Sequence, residues 1–569
     1  MDNTGPVRIG KSRQEARQLI DDAVAHLKSQ IADLHSQRNL LAPICRLPPE
    51  ILGEIFLLAK GSTYYADFYV HDYYGWIKRL THVCRHLRNV ALASPQLWSK
   101  GPWPLHKQNF LDEILRRSKE NPLVIKVDLT QGDSGLVGLE GLLENHHQRI
   151  KHLAILVDSS DWVTLQRSFP KSTPQLRHLS ISCNTRFPAP VFAIDNTFDA
   201  PALRHLAVSH FAINWDLPFP LGHGLTYLKI HLLPDPPPTW RQFFNSLSQM
   251  PSLEVLDLQD KFPIDENERE SAVLHLASLR MLIIGRCGPR EVIQFLSRVT
   301  FPSTTKIKIA WCSGTRTTQL KDTLPDLLKK VTQSTSNAAV PNVFQTLVVL
   351  ERPHNSHIHH GICVRLFSNA LDDKEMLCHS NVDSQLELDF YWRFEETCDF
   401  AMVLTIIFKS EIGTLLRDSI ICVYLAYISQ EPNHDLLENT IGELRKVRHI
   451  ATMERWLRSL AELLQRSGEG SDSGISPRTL YFPDLSSLYL VNAHGEQPFP
   501  IKLLHDCIVS RTSAGASIQK LTLRSWNKIK EDDMNLLEEV AEEIDSDDED
   551  MQYNSDDNYS DYVELLRIY

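Results

Sequence analysis

An apolar triad recurs along the middle of this chain as Ile150/Leu153/Ile155, Leu176/Leu179/Ile181, Leu203/Leu206/Val208, Leu225/Leu228/Ile230, Leu253/Leu256/Leu258 and Leu279/Leu282/Ile284. The first positions lie 26, 27, 22, 28 and 26 residues apart. Each triad ends in the period-2 alternation of a short strand, so its last two side chains share one face while the residue between them points to the other. A unit this small cannot bury its apolar face alone. Repeats with such a period are therefore expected to stack, each contributing one strand to a shared parallel sheet.

Weaker copies follow at irregular spacing: Ile307/Ile309, Leu347/Val349, Leu386/Leu388, Val447/Ile450, Leu485/Leu488/Leu490 and Ile518/Leu521/Leu523. Between the copies, stretches such as Trp240 to Leu247, Glu291 to Val299, Asp322 to Val331 and Met453 to Leu464 place apolar residues every three or four positions, as a helix with one buried face does. Strands alternating with helices predict an α/β solenoid over residues 101–530, with the sheet on its concave side. An ordinary α/β domain whose strands share the pattern is the alternative. Thr332 to Pro341 and Gly468 to Pro477 lack periodic apolar residues and read as exposed connections, whereas Asp235-Pro236-Pro237-Pro238 reads as a stiff one.

Charge divides the chain unevenly. Residues 531–569 hold 16 acidic side chains and one basic, a net of −15 against −12 for all 569 residues, so the preceding 530 carry +3. That nearly neutral body lacks the basic field of a nucleic-acid binder, and residues 531–569 read as a solvated, disordered acidic tail. Ser546 and Ser555 sit in surroundings that an acid-directed kinase accepts. Ten cysteines stand singly, with no CxxC pair and no apolar leader, which points to reduced thiols inside a cell. The most apolar runs, Ala401 to Phe408 and Ile420 to Ile428, are too short to span a bilayer.

Ahead of the repeats, Ile20, Val24, Leu27, Ile31, Leu34 and Leu41 form a heptad stripe that Arg38 interrupts, predicting an amphipathic helix within residues 1–42. The stripe is expected to pack against the helical segment that follows, and a coiled-coil dimerisation helix is the alternative reading. In that next segment, Arg46-Leu47-Pro48-Pro49-Glu50-Ile51-Leu52 opens a helix, and Ile51, Leu52, Ile55 and Phe56 recur at helical spacing. Trp76-Ile77, Val83-Cys84-Arg85 and Ser94-Pro95-Gln96-Leu97-Trp98-Ser99 follow in order.

Residues 43–100 resemble an F-box, most closely the version of large fungal families in which a heptad-like helix precedes it and leucine-rich repeats follow. There are two departures. Leu87 stands where many relatives carry tryptophan, and Lys60 to Gly75 inserts a tyrosine-rich loop. The resemblance implies a substrate-recognition subunit of a Skp-cullin-F-box type ubiquitin ligase. Leu47, Pro48, Ile51, Leu52, Ile55, Val83, Cys84 and Leu87 would face a Skp-type adaptor and, through it, a cullin scaffold, while the repeats would hold an unidentified protein target. A scaffold in which the helices only cap the solenoid is the alternative.

Target contacts are expected from residues between the core leucines, chiefly Arg177, Arg204, Tyr227, Lys229 and Arg280. No nucleophile elbow, phosphate loop, His-Glu-x-x-His or dinucleotide fingerprint occurs, so no catalytic residue and no cofactor are expected. His354, His357, His359, His360 and Cys363 are zinc-type ligands, but their spacing fits no closed site and they read as an exposed polar loop.

Overall fold

The computed structural model describes residues 7–59, 81–103, 105, 107–130, 134–184, 190–192, 198–213, 215, 224–231, 237–260, 262–263, 273–311, 317–335, 343–353, 359–372, 384–393, 400–426, 434–465, 467–468, 479–491, 501–524 and 531–546. The fold is mixed α/β. It divides into two compact units, one of residues 1–184 with 194–203 and the other of residues 185–193 with 204–569. The division falls inside the repeat region rather than at residue 100.

The first unit opens with a single long helix, α1 (Val7–Leu40), as the heptad period predicts. A 3-10 turn at Pro43–Arg46 leads into α2 (Pro49–Ala59), where Pro49 occupies the first helical position and its missing N–H is no loss. α3 (Arg85–Ala93) and the one-turn α4 (Pro95–Trp98) complete a helical module. Among the described residues its interior holds Cys45, Leu52, Phe56, Leu87, Val90, Ala91, Leu97 and Trp98, each at most 8% exposed. Trp98 is fixed by its Nε1 donating to the Ala91 carbonyl at 2.9 Å, with Arg117 lying over the ring.

Four parallel strands follow: β1 (Lys100–Pro102), β2 (Leu123–Asp128), β3 (Ile150–Val157) and β4 (His178–Cys183). Between them run α5 (Gln108–Ser118), α6 (Ser134–His146) and α7 (Ser159–Leu165). Burial alternates along β2 to β4, so one face is core and the other holds polar and half-exposed side chains.

The second unit continues the pattern with β5 (His205–Ser209), β6 (Tyr227–His231), β7 (Val255–Gln259), β8 (Met281–Gly285) and β9 (Lys306–Trp311), parallel and adjacent in chain order. The intervening helix α8 (Trp240–Ser248) starts at a reciprocal cap between Thr239 and Gln242, and α9 (Pro289–Arg298) starts on a proline. The order then reverses. After α10 (Thr317–Thr335), the strands β10 (Thr346–Pro353), β11 (His359–Phe367) and β12 (Leu386–Arg393) form an antiparallel meander, and its last strand pairs with β9. This meander explains the irregular spacing of the weaker triads.

From β12 the chain crosses through α11 (Phe400–Lys409) and α12 (Glu411–Ser419) to β13 (Cys422–Ala426), which pairs in parallel with β10. At the junction of those helices a Cβ on Gly413 would lie 2.1 Å from the Phe408 carbonyl oxygen, so only glycine fits the turn. The ladder then runs through β14 (His449–Met453), β15 (Ser487–Val491), β16 (Lys520–Arg524) and β17 (Glu543–Ser546). Helices α13 (His434–Glu438), α14 (Glu454–Gln465), α15 (Ile501–Ser513) and α16 (Glu531–Glu538) lie between these strands in sequence. Arg511 is fully buried, and its guanidinium donates to the carbonyls of Tyr481 and Phe482 at 2.8 and 2.7 Å.

Every triad residue, early or late, is at most 2% exposed. The two stretches of the second unit differ in their other face. Along β5 to β9 that face is polar or half-exposed, whereas Val348, Leu350, Cys363, Phe367, Cys422, Tyr424, Ala451, Met453, Tyr489 and Val491 form a second apolar layer. Successive residues are buried at 346–350 in β10, 422–425 in β13, 450–453 in β14 and 487–491 in β15, so these stretches are covered on both faces.

Two sequence expectations are corrected. Residues 531–546 are not a solvated tail: α16 buries Leu537 completely, and β17 joins the ladder through a two-pronged Arg524–Asp545 ion pair at 2.9 and 3.2 Å. Net charge concealed a strand because Asp545 and Glu543 are paired with Arg524 and Lys520 on the neighbouring strand and Leu537 is buried ahead of them. Residues 547–569, the whole tyrosine-rich insertion and most of Gly468 to Pro477 lie outside the described residues. The α1 stripe does not pack on the module either, since Ile20, Val24, Leu27, Ile31 and Leu34 are 42–64% exposed. α1 meets the 3-10 turn and α3 near its C-terminal end, where Ala32, Ser36 and Asn39 are half-buried. The Arg85–Asp33 pair there is exposed on both sides and contributes at most about 1 kcal/mol.

If residues 531–546 are structural, Leu537→Ala removes a fully buried side chain and destabilises the second unit by about 2–5 kcal/mol. Thermal unfolding checks this, and an unchanged transition would mean a tail after all.

Candidate functional site

Helix α2 has two apolar stripes. Leu52 and Phe56, four apart, are buried at 0% and 2% and belong to the module core. Ile51, Ile55 and Leu58, at i, i+4 and i+7, line another face, with Ile51 48% and Leu58 77% exposed and Ile55 half-buried. Ile51 and Leu58 therefore leave apolar side chains on the solvent side of α2. Cys84 caps α3, accepting from the Leu87 N–H, and its sulfur lies 4.0 Å from that of Cys45. This contact brings the turn before α2 against the start of α3, and with it the exposed neighbours Ile44 (45%) and Val83 (65%).

Of the eight residues expected to face an adaptor, Pro48, Ile51 and Val83 are exposed, and Leu47, Ile55 and Cys84 are half-buried. Leu52 and Leu87 are core and are withdrawn from the surface set. Sequence reasoning missed Ile44 and Leu58. The seven-residue step from Ile51 to Leu58 was the available signal.

The polar face carries the other candidate. In the first unit the rings of His152 and His178 stack at 4.0 Å. Burial, then His178, Lys151, Lys126 and Lys100, push the His152 imidazole down to about 4, and burial with Lys151 and Arg177 also lowers His178. Both rings are neutral at physiological pH, and the charge around them is the cationic set Lys100, Lys126, Lys151 and Arg177.

In the second unit His205 stacks on Tyr227 at 3.8 Å. Burial and the Asp257 charge raise the Tyr227 hydroxyl, so it stays a neutral donor. Asp257 is held by Lys229 at 3.5 Å and by the Gln259 amide at 2.9 Å.

Three residues with left-handed backbone follow directly after strands: His210 (φ 64°) after β5, Asp260 (φ 77°) after β7 and Arg286 (φ 59°) after β8. Each donates its N–H at 2.9 Å to a carbonyl of the next strand, from His231, Gly285 and Ala310. The added rung holds a backbone that is costly for these residue types. The side chains converge: Asp260 lies 3.0 Å from His231 Nε2 and 3.1 Å from Arg286 Nε, and His210 meets His231 edge-on at 4.6 Å. The signal was a polar residue two places beyond the third triad position. Cys287 beside this corner is kept a protonated thiol by burial and the charges of Asp260 and Glu291, and burial pushes Cys507 up to about 12. Neither has the lowered pKa of an activated thiolate.

Of the five residues expected to contact a target, Arg177, Arg204 and Arg280 are exposed, each immediately before a strand. Tyr227 is half-buried in its stack. Lys229 is only 12% exposed and is committed to Asp257, which makes it a structural ion pair rather than a free contact.

The expected exposed histidine loop is corrected where it is described. His359 and His360 belong to β11, and Cys363 is fully buried within it, while His354 and His357 lie outside the described residues. Across β11 and β12 the donor atoms of Cys363, Glu387 and Asp389 lie within 4.8 Å of one another, as do those of His434, Asp435 and Glu438 elsewhere. Arg365 at 3.1 Å and Lys308 at 3.6 Å already balance Glu387, so the first cluster works as a buried ion network. Among the described residues no helix is long and apolar enough to cross a membrane.

Two measurements follow. Because the folded state holds His152 near 4 and the unfolded chain near 6.5, the unfolded state takes up the proton first, and stability falls as pH drops through that window. His152→Gln should shrink this acid loss, read from unfolding midpoints between about pH 7 and about pH 4, and an identical pH profile would refute the assignment. Glu387→Ala leaves Arg365 and Lys308 facing each other and should destabilise by about 3–5 kcal/mol. No protein-family model matches this chain, and no curated protein matches it.

Proposed function

We propose that the chain is a substrate-recognition subunit of a Skp-cullin-F-box type ubiquitin ligase, with leucine-rich-repeat-like strands as its target-holding part. The observation that carries this reading is the outward stripe Ile51, Ile55 and Leu58 on α2, beside exposed Pro48 and Val83. Water-facing apolar side chains in helical register suit a partner of helical chemistry such as a Skp-type adaptor. The polar face supports the second half of the proposal. Lys126, Lys151 and Arg177 around neutral stacked imidazoles favour an acidic segment of a target protein. In this reading the chain performs no chemistry itself, and it raises the local concentration of the target's lysines near a ubiquitin-charged enzyme.

The second reading, a scaffold whose helices only close the end of the repeats, draws on Leu52 and Leu87 being core residues. Co-expression of the full chain with a Skp-type adaptor separates the two. The double variant Ile51→Glu, Val83→Glu changes only exposed positions, so it should abolish co-elution, a loss of at least about 2 kcal/mol of binding, while the unfolding midpoint stays put. A wild-type chain that folds and ignores the adaptor would leave the scaffold reading.

A further inference from the structure

The unpacked stripe of α1 has a defined heptad grammar. With Val24 and Ile31 at the a position, Ile20, Leu27, Leu34 and Leu41 fall at d, and Arg17 and Arg38 fall at a on either side. β-branched residues at a with leucine at d are the combination that favours two parallel strands. Ile20, Val24, Leu27, Ile31 and Leu34 are 64, 42, 57, 54 and 64% exposed, and the half-buried Ala32, Ser36 and Asn39 that meet the module lie on other positions. The stripe is thus free while α1 is docked.

We propose that α1 pairs with α1 of a second copy of this chain in a parallel, in-register two-stranded coiled coil. The flanking positions accept that partner. In this register the g to e′ pairs are Ala16 with Asp21, Ala23 with Lys28 and Gln30 with His35, so no like charges oppose each other at these flanking positions, and from Arg17 to Arg38 the only like-charge layers are those two arginines meeting their own copies at the two ends. Arg17 and Arg38 bracket five consecutive apolar layers, and a slip of one heptad would drive an arginine into an apolar layer of the partner. The same residues that weaken the ends therefore fix the register. The inference is independent of the ligase reading, because no adaptor or target takes part.

The test is sedimentation equilibrium of the full chain over a concentration series. The expected result is a mass approaching twice 65.1 kDa, reduced to one chain by Ile31→Glu and unaffected by Ser29→Glu, which lies on the outer face of the helix. Both positions are exposed, so the fold is preserved, and an unchanged unfolding midpoint verifies this. Mild oxidation of Leu34→Cys should crosslink two chains through facing d positions, whereas an antiparallel pair would hold those thiols far apart. A single-chain mass at every concentration, a dimer that survives Ile31→Glu, or no crosslink at position 34 would each overturn the proposal.

Discussion

A parallel strand has no local partner. Its N–H and C=O groups bond to a strand that arrives only after a crossover, so each strand here depends on the next repeat bringing its backbone to the same height. The register of β7, β8 and β9 shows how this is met: Leu256, Leu282 and Ile307 align, as do Leu258, Ile284 and Ile309. One apolar triad per repeat sets both the height of the strand and the face it buries, and along β5 to β9 a slip of a single residue would turn its last two side chains onto the polar face. The left-handed corners at His210, Asp260 and Arg286 extend the same dependence one rung further. Strained backbone survives there because the neighbouring strand supplies the carbonyl.

Among the described residues of the large sheet, the meander of β10, β11 and β12 is where chain order and spatial order part. It coincides with a change in what the far face of the sheet must do. Before it, Lys229, Asp257, Gln259 and His231 keep that face polar, and after it Tyr424, Met453 and Tyr489 make it apolar and buried. The ion network of Lys308, Glu387 and Arg365 sits on the strands where the two regimes meet. Burying Glu387 and Arg365 is tolerable there because they pair with each other and the half-buried Lys308 adds a second partner for Glu387 within 4 Å.

The strands were legible in the sequence because a one-face-buried parallel strand must alternate, and every predicted triad residue is in the core. The meander was not, since Leu347/Val349 reads the same whether its neighbour runs parallel or antiparallel. β2 escaped notice because Leu123, Ile125 and Val127 alternate without the leading leucine. For the candidate site, helical spacing placed Ile51 and Ile55 correctly on α2 but could not say which of two adjacent stripes faces inward, so Leu52 was assigned to the surface while Leu58 was overlooked. The commitment of Lys229 to Asp257 depends on pairing between strands 28 residues apart in sequence, which no local pattern encodes.

The C-terminal strand carries one more consequence. Among the described residues β17 is the last rung of the ladder, and it reads Glu543-Ile544-Asp545-Ser546. A parallel edge is a template for any extended chain that drifts past. Its two carboxylates are paired, Asp545 with Arg524 at 2.9 Å and Glu543 with Lys520 at 3.7 Å, and they leave charge on this strand that a passing apolar strand would have to desolvate. The acidic residues that made this region look like a tail are thus tied into the ladder, and an apolar strand adding beyond them would first have to strip water from charge.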